Sequence, residues 1–296
     1  MKKISISVGI LSYKRTDLLL DTIDCLIDSS YEFELVLLNN NDFCILDEIK
    51  SKLEGVNSIH LKYIFPGENL GVSLGRNRIV NECSGDFLIL LDDDVYLENF
   101  DLIVDETIKE FSSDDRLGAI AFNILEYSTG HHNRFEIPHK NKRIDMNQDF
   151  YTYLIIGAGN ALRVNAVRSA GNFAKDFGLY GFEEIDVAFR LISEGYKIKY
   201  KSNCKIHHKK SPDGRFSGKL VNKLYFENRT RMAKRYLKKR HYLVCFFVRF
   251  IFLLYKTKDL KLAASSFLVV INDGESRKFD SVFYNYIKKV NGFIWY

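Results

Sequence analysis

Through its first 111 residues the chain alternates between short apolar runs and segments of helical periodicity. In "ISISVGI" (4–10), Ile4, Ile6, Val8 and Ile10 fall two apart, the period of a strand. Thr16 can cap a helix running to about Ile27, with Leu19, Ile23 and Leu26 or Ile27 on one face. "FELVLL" (33–38) predicts a second strand, followed by a short helix over 44–53. "IHLKYIF" (59–65) predicts a third strand, and "GVSLGRNRIVNECSG" (71–85) a helix closed by Gly85. "FLILL" (87–91) is the fourth strand, with a helix over 98–111 after it. Such alternation implies parallel pairing in a doubly wound α/β sheet. Ligands of these sheets bind at the carboxyl ends of the strands. The loops 12–15, 39–42 and 67–71 all fall on that edge, as do three consecutive aspartates, Asp92, Asp93 and Asp94.

The second half is less regular. Residues 118–124 and 151–159 pattern as strands, 183–195 as a helix ended by Gly195, and 196–208 as a further strand. The polar segment 128–149 reads as a long exposed loop. Residues 216–240 pattern as a basic helix, and 241–271 as two apolar stretches. The five cysteines are scattered, with no C-x-x-C pair, which argues against a disulfide framework or a thiolate zinc site. The N-terminal run reads as a strand and not a signal peptide, and a cytoplasmic location is expected. The net charge of +5 is unevenly placed: residues 197–240 hold sixteen Lys and Arg against Asp213 and Glu227. A negative partner is expected there, whether phosphate, anionic lipid or nucleic acid.

If the fourth strand continues through the aspartates, Asp92 and Asp94 share one side of it. Two such carboxylates suit joint contact with one divalent cation that leaves sites open for water and phosphate. A helix cap is the alternative, but one Asp suffices for that and three adjacent carboxylates repel. A second acidic cluster, Glu183, Glu184 and Asp186, opens the helix at 183. Asp186 and Arg190 are four apart and can pair. Acidic residues are favoured at a helix start in any case, but a carboxylate there can also serve as general base. His207 and His208 end an alternating strand and are either metal ligands or polar surface.

In order along residues 4–240, these segments resemble the family 2 inverting glycosyltransferases, in particular bacterial rhamnosyltransferase-like enzymes. "VGILSYKR" is similar to the family's first strand and turn, "LVLLNNND" to V-V-D-N, and "ENLGVSLGRNRIV" to N-x-G-x-x-x-A-R-N. "GDFLILLDDDV" is similar to G-D-x-x-x-x-L-D-D-D, and "YGFEEIDVAFRLISEGYKIKY" to Y-x-E-D-x-D-L-x-x-R with G-Y-x-I. "GAGNALRVNAVRSAGNF" and "YFENRTRMAKRYL" are similar to the family's acceptor-side segment and R-N-R helix. The resemblance implies a GT-A fold, a Rossmann-like, mostly parallel sheet flanked by helices. It implies transfer of a sugar from a nucleoside diphosphate donor, UDP- or dTDP-linked, to a hydroxyl, with inversion. Ser12, Tyr13, Arg15, Asn39, Asn41, Asn69, Arg76, Asp92 and Asp93 would hold the donor. Asp94, Asp92 and His208, with His207 second, would hold Mn²⁺ or Mg²⁺. Glu184 falls where the family places its base, Glu183 precedes it, and Asp186 is a rival. The family's nucleobase Asp is Asn39 here and its E-D is Glu183–Glu184, which clouds the donor base and the reach of the catalytic carboxylate.

The expected division is a catalytic domain over 1–212, with a nucleotide-binding half (1–98) and an acceptor half (99–212), then a helical extension over 213–296. The acceptor implied is a glycan or lipid-linked glycan of cell-surface polysaccharide synthesis. In the tail, the most apolar run (242–255) is 14 residues long and holds Arg249, too short for a span that needs about 20. It reads as a core helix or as one lying on an anionic membrane. Two other functions stay open: a relative that binds donor without turnover, and a polyanion-binding module. Nucleic acid is not expected, because the basic helix lacks evenly spaced stacking aromatics.

Overall fold

A computed structural model describes residues 5–214 and 216–294, so Ile4 of the first predicted strand lies outside the described residues. Strand β1 (Ile6–Ser12) pairs in parallel with β2 (Phe33–Asn39) and with β4 (Phe87–Asp92), and β2 pairs in parallel with β3 (Ile59–Ile64). Helices α1 (Thr16–Ile27), α2 (Leu46–Lys52) and α3 (Val72–Glu82) make the crossovers. Alternate residues of the buried strands feed opposite faces. Leu88 and Leu90 enter one hydrophobic cluster with Val36 and Leu38, while Ile89 and Leu91 enter another with Val8 and Ile10.

The second half turns the sheet mixed. After β5 (Val95–Leu97) and α4 (Phe100–Ser113) come β6 (Leu117–Glu126), β7 (Phe150–Thr152), β8 (Gly159–Arg163) and β9 (Lys197–His208). The order is β3-β2-β1-β4-β8-β6-β9-β5, with β7 on β9. β8 runs antiparallel between β4 and β6, and β5 and β7 run antiparallel to β9. The expected α/β sheet flanked by helices is present, with its parallel core in the first half. Helices α5 (Val164–Ser169) and α6 (Glu183–Ser193) complete this half.

Several local expectations are corrected. Helix α1 begins at Thr16, but Arg15 occupies the cap position and no side chain caps the helix. Helix α3 stops at Glu82 and not at Gly85. Gly85 serves a close approach instead, because a Cβ there would lie 2.6 Å from the Ser7 nitrogen. Residues 151–159 are not one strand: pairing on β9 ends at Thr152, and β8 starts only at Gly159. The segment 128–149 has no helix or strand, yet it is not simply exposed, since Ile137, Met146, Glu136 and His139 are buried.

The C-terminal part is helical: α7 (Gly218–Tyr236), α8 (Lys239–Thr257), α9 (Leu260–Asn272) and α10 (Ser281–Lys289). It shares the main core, because Met232, Ala233, Phe283 and Ile287 pack with Val187, Phe189 and Ile198. Charge ties it down as well. Arg235 of α7 forks between Asp176 and Asp273, at 2.7 Å from the latter. Much of the local positive charge of 197–240 is met within the chain. Lys197 pairs with Asp114, Lys199 with Glu110, Lys201 with Glu106, Glu110 and Asp149, and Lys209 with Asp21.

The start of α3 is fixed by Gly71, which has φ +79° and whose Cβ would sit 2.5 Å from the Gly178 carbonyl oxygen. Both the conformation and the backbone contact exclude a side chain. Gly71→Ala is expected to lower unfolding free energy by about 2–4 kcal/mol, read from the urea midpoint at unchanged m-value.

Candidate functional site

The site forms where β4 ends. Asp92 is its last residue, Asp93 and Asp94 make a turn, and β5 carries the chain on. The turn is held from α1 by Thr22, whose hydroxyl lies 3.1 and 2.9 Å from the carbonyl oxygens of Asp93 and Val95 and accepts the Val95 N–H. Strand β5 pairs with β9 so that Val95 faces His208, which sets Asp94 beside that histidine.

The three carboxylates take different partners. Half-buried Asp92 accepts a 2.8 Å hydrogen bond from Arg76 Nη2. Arg76 reaches in from α3, is 3% exposed, and donates through Nη1 to Glu183 at 2.8 Å and through Nη2 to the Gly157 carbonyl at 3.0 Å. Asp93 is wholly buried, accepts the Tyr13 N–H at 3.1 Å and pairs with Arg15 Nη2 at 3.0 Å. Asp94 pairs with Arg15 Nη1 at 2.5 Å, accepts the Ser211 N–H at 3.1 Å and lies 3.2 Å from His208 Nε2. The other ring nitrogen of His208 is 2.5 Å from Glu136.

One ligand atom each from Asp92, Asp94 and His208 lie within 4.8 Å of one another. Two carboxylate oxygens and an imidazole nitrogen form a donor set that fits a divalent cation of the Mn²⁺ type and leaves positions for water or phosphate. The histidine's second nitrogen is oriented by Glu136, the arrangement that fixes a ligating imidazole.

Protonation follows from these contacts. Burial pushes Asp93 up to about 7, against the pull of Arg15 and with the repulsion of Asp94 and Asp92. Burial also opposes ionisation of Asp94, but His208, Arg15 and the Ser211 N–H outweigh it and hold that carboxyl below its ordinary value. Burial disfavours the His208 cation, yet Asp94 and Glu136 raise it to about 10. On α6, burial and the charge of Glu183 push Glu184 well above the ordinary carboxylate range. The Oε2 atoms of Glu183 and Glu184 are buried and meet no hydrogen-bond donor among the described residues.

Other predicted residues are distributed unevenly around this centre. Tyr13 stacks on Phe216, ring centroids 6.2 Å apart. Asn39 is buried and commits its amide to the Phe43 carbonyl and the Tyr63 hydroxyl, while its oxygen accepts from Asn41. Asn41 in turn accepts the Lys14 N–H, so the 12–15 and 39–42 loops are tied together. Ser12 is buried at the end of β1, and Asn69 accepts the Gly71 N–H ahead of α3.

Two expectations do not survive the geometry. His207 faces the other side of β9 from His208 and pairs with Glu98 at 2.6 Å, so it is not with the metal-type cluster. Asp186 is buried against Arg190, whose guanidinium also binds the Ala170 and Asn172 carbonyls, so Asp186 is a core ion pair and not a base at the site. Sequence reasoning missed Glu136, Ser211 and the ring pair Tyr180–Tyr225, whose centroids are 5.8 Å apart and whose hydroxyls feel the charge of Glu184. Glu136 lies in an aperiodic polar segment and Ser211 acts through its backbone, so neither leaves a motif.

The family model for glycosyl transferase family 2 matches residues 7–169. A Haemophilus influenzae protein of undetermined function is 38% identical over 170 residues, which is 56% of this chain and 91% of that one. Among solved structures, GalNAc-T7 with UDP, GalNAc and Mn²⁺ matches at TM-score 0.67 and 14% identity, over 98% of this chain and 57% of that one. This chain therefore spans a little over half of GalNAc-T7. The Pyrobaculum calidifontis mannosyltransferase PcManGT, in complex with GDP-Man and Mn²⁺, matches at TM-score 0.61 and 14% identity, over 91% and 76% of the two chains. S. aureus TarS 1-349 in complex with UDP-GlcNAc matches at TM-score 0.61 and 15% identity, over 97% and 82%.

The shifts give the protein without ligands a signed pH dependence. The His208 contribution is fully present below 6.5 and is lost as pH rises through about 10. Asp93, raised from 3.8 to about 7, adds a penalty that grows as pH rises across that window. Stability is therefore expected to fall from slightly acidic to alkaline pH. Asp93→Asn is expected to flatten the acidic part of the fall and His208→Gln the alkaline part, both read from melting temperatures across a pH series.

Proposed function

Membership of glycosyl transferase family 2, with the GT-A fold, is the premise, and we propose that this chain moves a sugar, with inversion, from a nucleoside-diphosphate-sugar to a hydroxyl of a glycan or lipid-linked glycan in cell-surface polysaccharide synthesis. The observation that carries this reading is the union of two clusters by one side chain. Arg76 pairs with Asp92, a member of the metal-type set, and with Glu183, whose neighbour Glu184 forms no ion pair among the described residues.

On the donor side, Asp92, Asp94 and His208 would hold Mn²⁺ or Mg²⁺, and the imidazole favours Mn²⁺, since Mg²⁺ prefers oxygen ligands. Such an ion supplies positive charge against the diphosphate that leaves the sugar. Tyr13 and Arg15, with the Asn39 and Asn41 loop behind them, line the nucleoside side. Arg15 holds Asp93 and Asp94 in place before any ligand arrives. The acceptor side is Glu184 with Tyr180 and Tyr225, which are 38% and 40% exposed and offer ring faces to a sugar. Glu184 takes the proton of the attacking hydroxyl. Arg76 neutralises Glu183, which limits how far its neighbour's proton is held. A base with a raised pKa must first lose its own proton, so turnover is expected to rise with pH until Glu184 is ionised. That raised pKa is also the one observation favouring donor binding without turnover.

The test is a panel of nucleotide-sugars with Mn²⁺, read as melting-temperature shift and as transfer or hydrolysis. Donor binding is expected to raise the melting temperature only with metal, and Asp94→Ala to abolish that rise. Glu184→Gln is expected to cut kcat by about 10²–10⁴ while the donor-induced rise persists. No stabilisation by any nucleotide-sugar would sink the transferase reading. Full stabilisation with no product from any acceptor would leave a donor-binding relative.

A further inference from the structure

Helix α8 is apolar on two sides. Cys245, Phe246 and Leu253 are buried, and the latter two pack with Phe226 of α7 and with Ala263 and Val270 of α9. The exposed positions between residues 243 and 255 are 243, 244, 247, 248, 251, 252 and 255, and all of them are apolar or aromatic. Their spacing follows the helical repeat, so they form one stripe along the outer face. Phe247 is 60% exposed, Ile251 67% and Tyr255 71%. On the adjoining α9, Leu260, Leu268 and Val269 are exposed as well. A contiguous patch of this kind marks an interaction surface, unlike isolated surface apolar residues.

The rim of the patch is cationic. From Lys238 to Asp273 the chain carries seven Lys and Arg and only two acids, Asp259 and Asp273. Both acids are engaged: Asp259 caps α9, and Asp273 is gripped by Arg231 and Arg235. Lys239, Lys256, Lys258 and Lys261 are exposed. The Lys256 ammonium sits 5.5 Å over the Phe252 ring and 5.9 Å over that of Tyr255, with its stem along the apolar stripe and its charge at the edge. Among the described residues no helix is long and apolar enough to cross a membrane. A second copy docked on the same face would set two cationic rims against each other. An anionic bilayer supplies both complements, an apolar interior for the stripe and phosphates for the rim.

We propose that the outer face of α8, extended by α9, is a membrane-docking surface that lies in the headgroup layer of an anionic bilayer, with its apolar stripe in the acyl boundary and its lysines on lipid phosphates. No residue of this stripe belongs to the aspartate or glutamate clusters.

The experiment is co-sedimentation of the full chain with two kinds of vesicle, phosphatidylcholine alone and phosphatidylcholine mixed with phosphatidylglycerol. Binding is expected on the anionic vesicles, weakening as salt rises. Phe247→Ser combined with Ile251→Ser is expected to weaken partitioning about tenfold or more. Lys256→Glu combined with Lys261→Glu is expected to weaken it and reduce its salt dependence. Melting temperature in solution and the metal-dependent nucleotide shift are expected to stay at wild-type values in both variants. The proposal is overturned if the wild-type chain stays in the supernatant of anionic vesicles, or if the stripe variant pellets as well as wild type. It is equally overturned if the stripe substitutions abolish a dimer seen in solution, or if they collapse the fold, since the stripe would then be an interface between copies or part of the core.

Discussion

The arrangement turns on one buried cation. Arg76 has almost no contact with water, and its guanidinium is neutralised by Asp92 on one side and Glu183 on the other, residues that reach it from β4 and α6. Removing one partner of such a pair strands a charge in a dry environment, a loss of roughly 3–5 kcal/mol. The pairing therefore fixes α3, the end of β4 and the start of α6 relative to each other, and with them the two acidic clusters. Arg15 plays the corresponding part for Asp93 and Asp94 at the other side of the turn. The planar, multidentate guanidinium groups beside these crowded carboxylates offset their repulsion, together with His208 and the Tyr13 and Ser211 N–H groups.

The same logic runs through the C-terminal part. A stretch with sixteen basic residues looks from the sequence like a ligand for something negative. In the folded chain many of those residues find their anions at home, on α4, in the 128–149 segment and around Asp176 and Asp273. The charge imbalance along the sequence is thus met in part inside the fold, where β9 is tied to α4 and to the 128–149 segment and α7 to Asp176. The tail's hydrophobic residues divide likewise. One side of α8 and α9 completes a small core with Phe226, and the other is left to solvent with exposed lysines at both ends of α8 and at the start of α9.

The glutamate pair shows how environment and not residue type sets chemistry. Glu183 and Glu184 are adjacent at the start of α6, yet one is tied to Arg76 and the other forms no ion pair among the described residues, with its proton held by burial and by its neighbour against the pull of Arg76. Asp186, two residues on, is removed from the chemistry altogether by Arg190. Three acids within four residues thus take three different environments.

The parallel half of the sheet was legible in the sequence, because strands buried on both faces read as unbroken apolar runs such as "FLILL" and because period and turn residues mark the helices between them. The acidic end of the fourth strand was legible as three consecutive aspartates, and the fold brings two of them, Asp92 and Asp94, together with His208. What sequence alone could not decide was which atoms meet. His207 and His208 are equivalent as letters, and only the pairing of β9 with β5 turns one towards Asp94 and the other towards Glu98. Asp186 and Glu184 are equally acidic, and only the position of Arg190 separates them. The antiparallel insertion of β8, the role of Glu136 and the one-sided exposure of α8 all depend on contacts between residues far apart in the chain. Local periodicity carries no information about such contacts, because it reports which face of an element is apolar and not what that face meets.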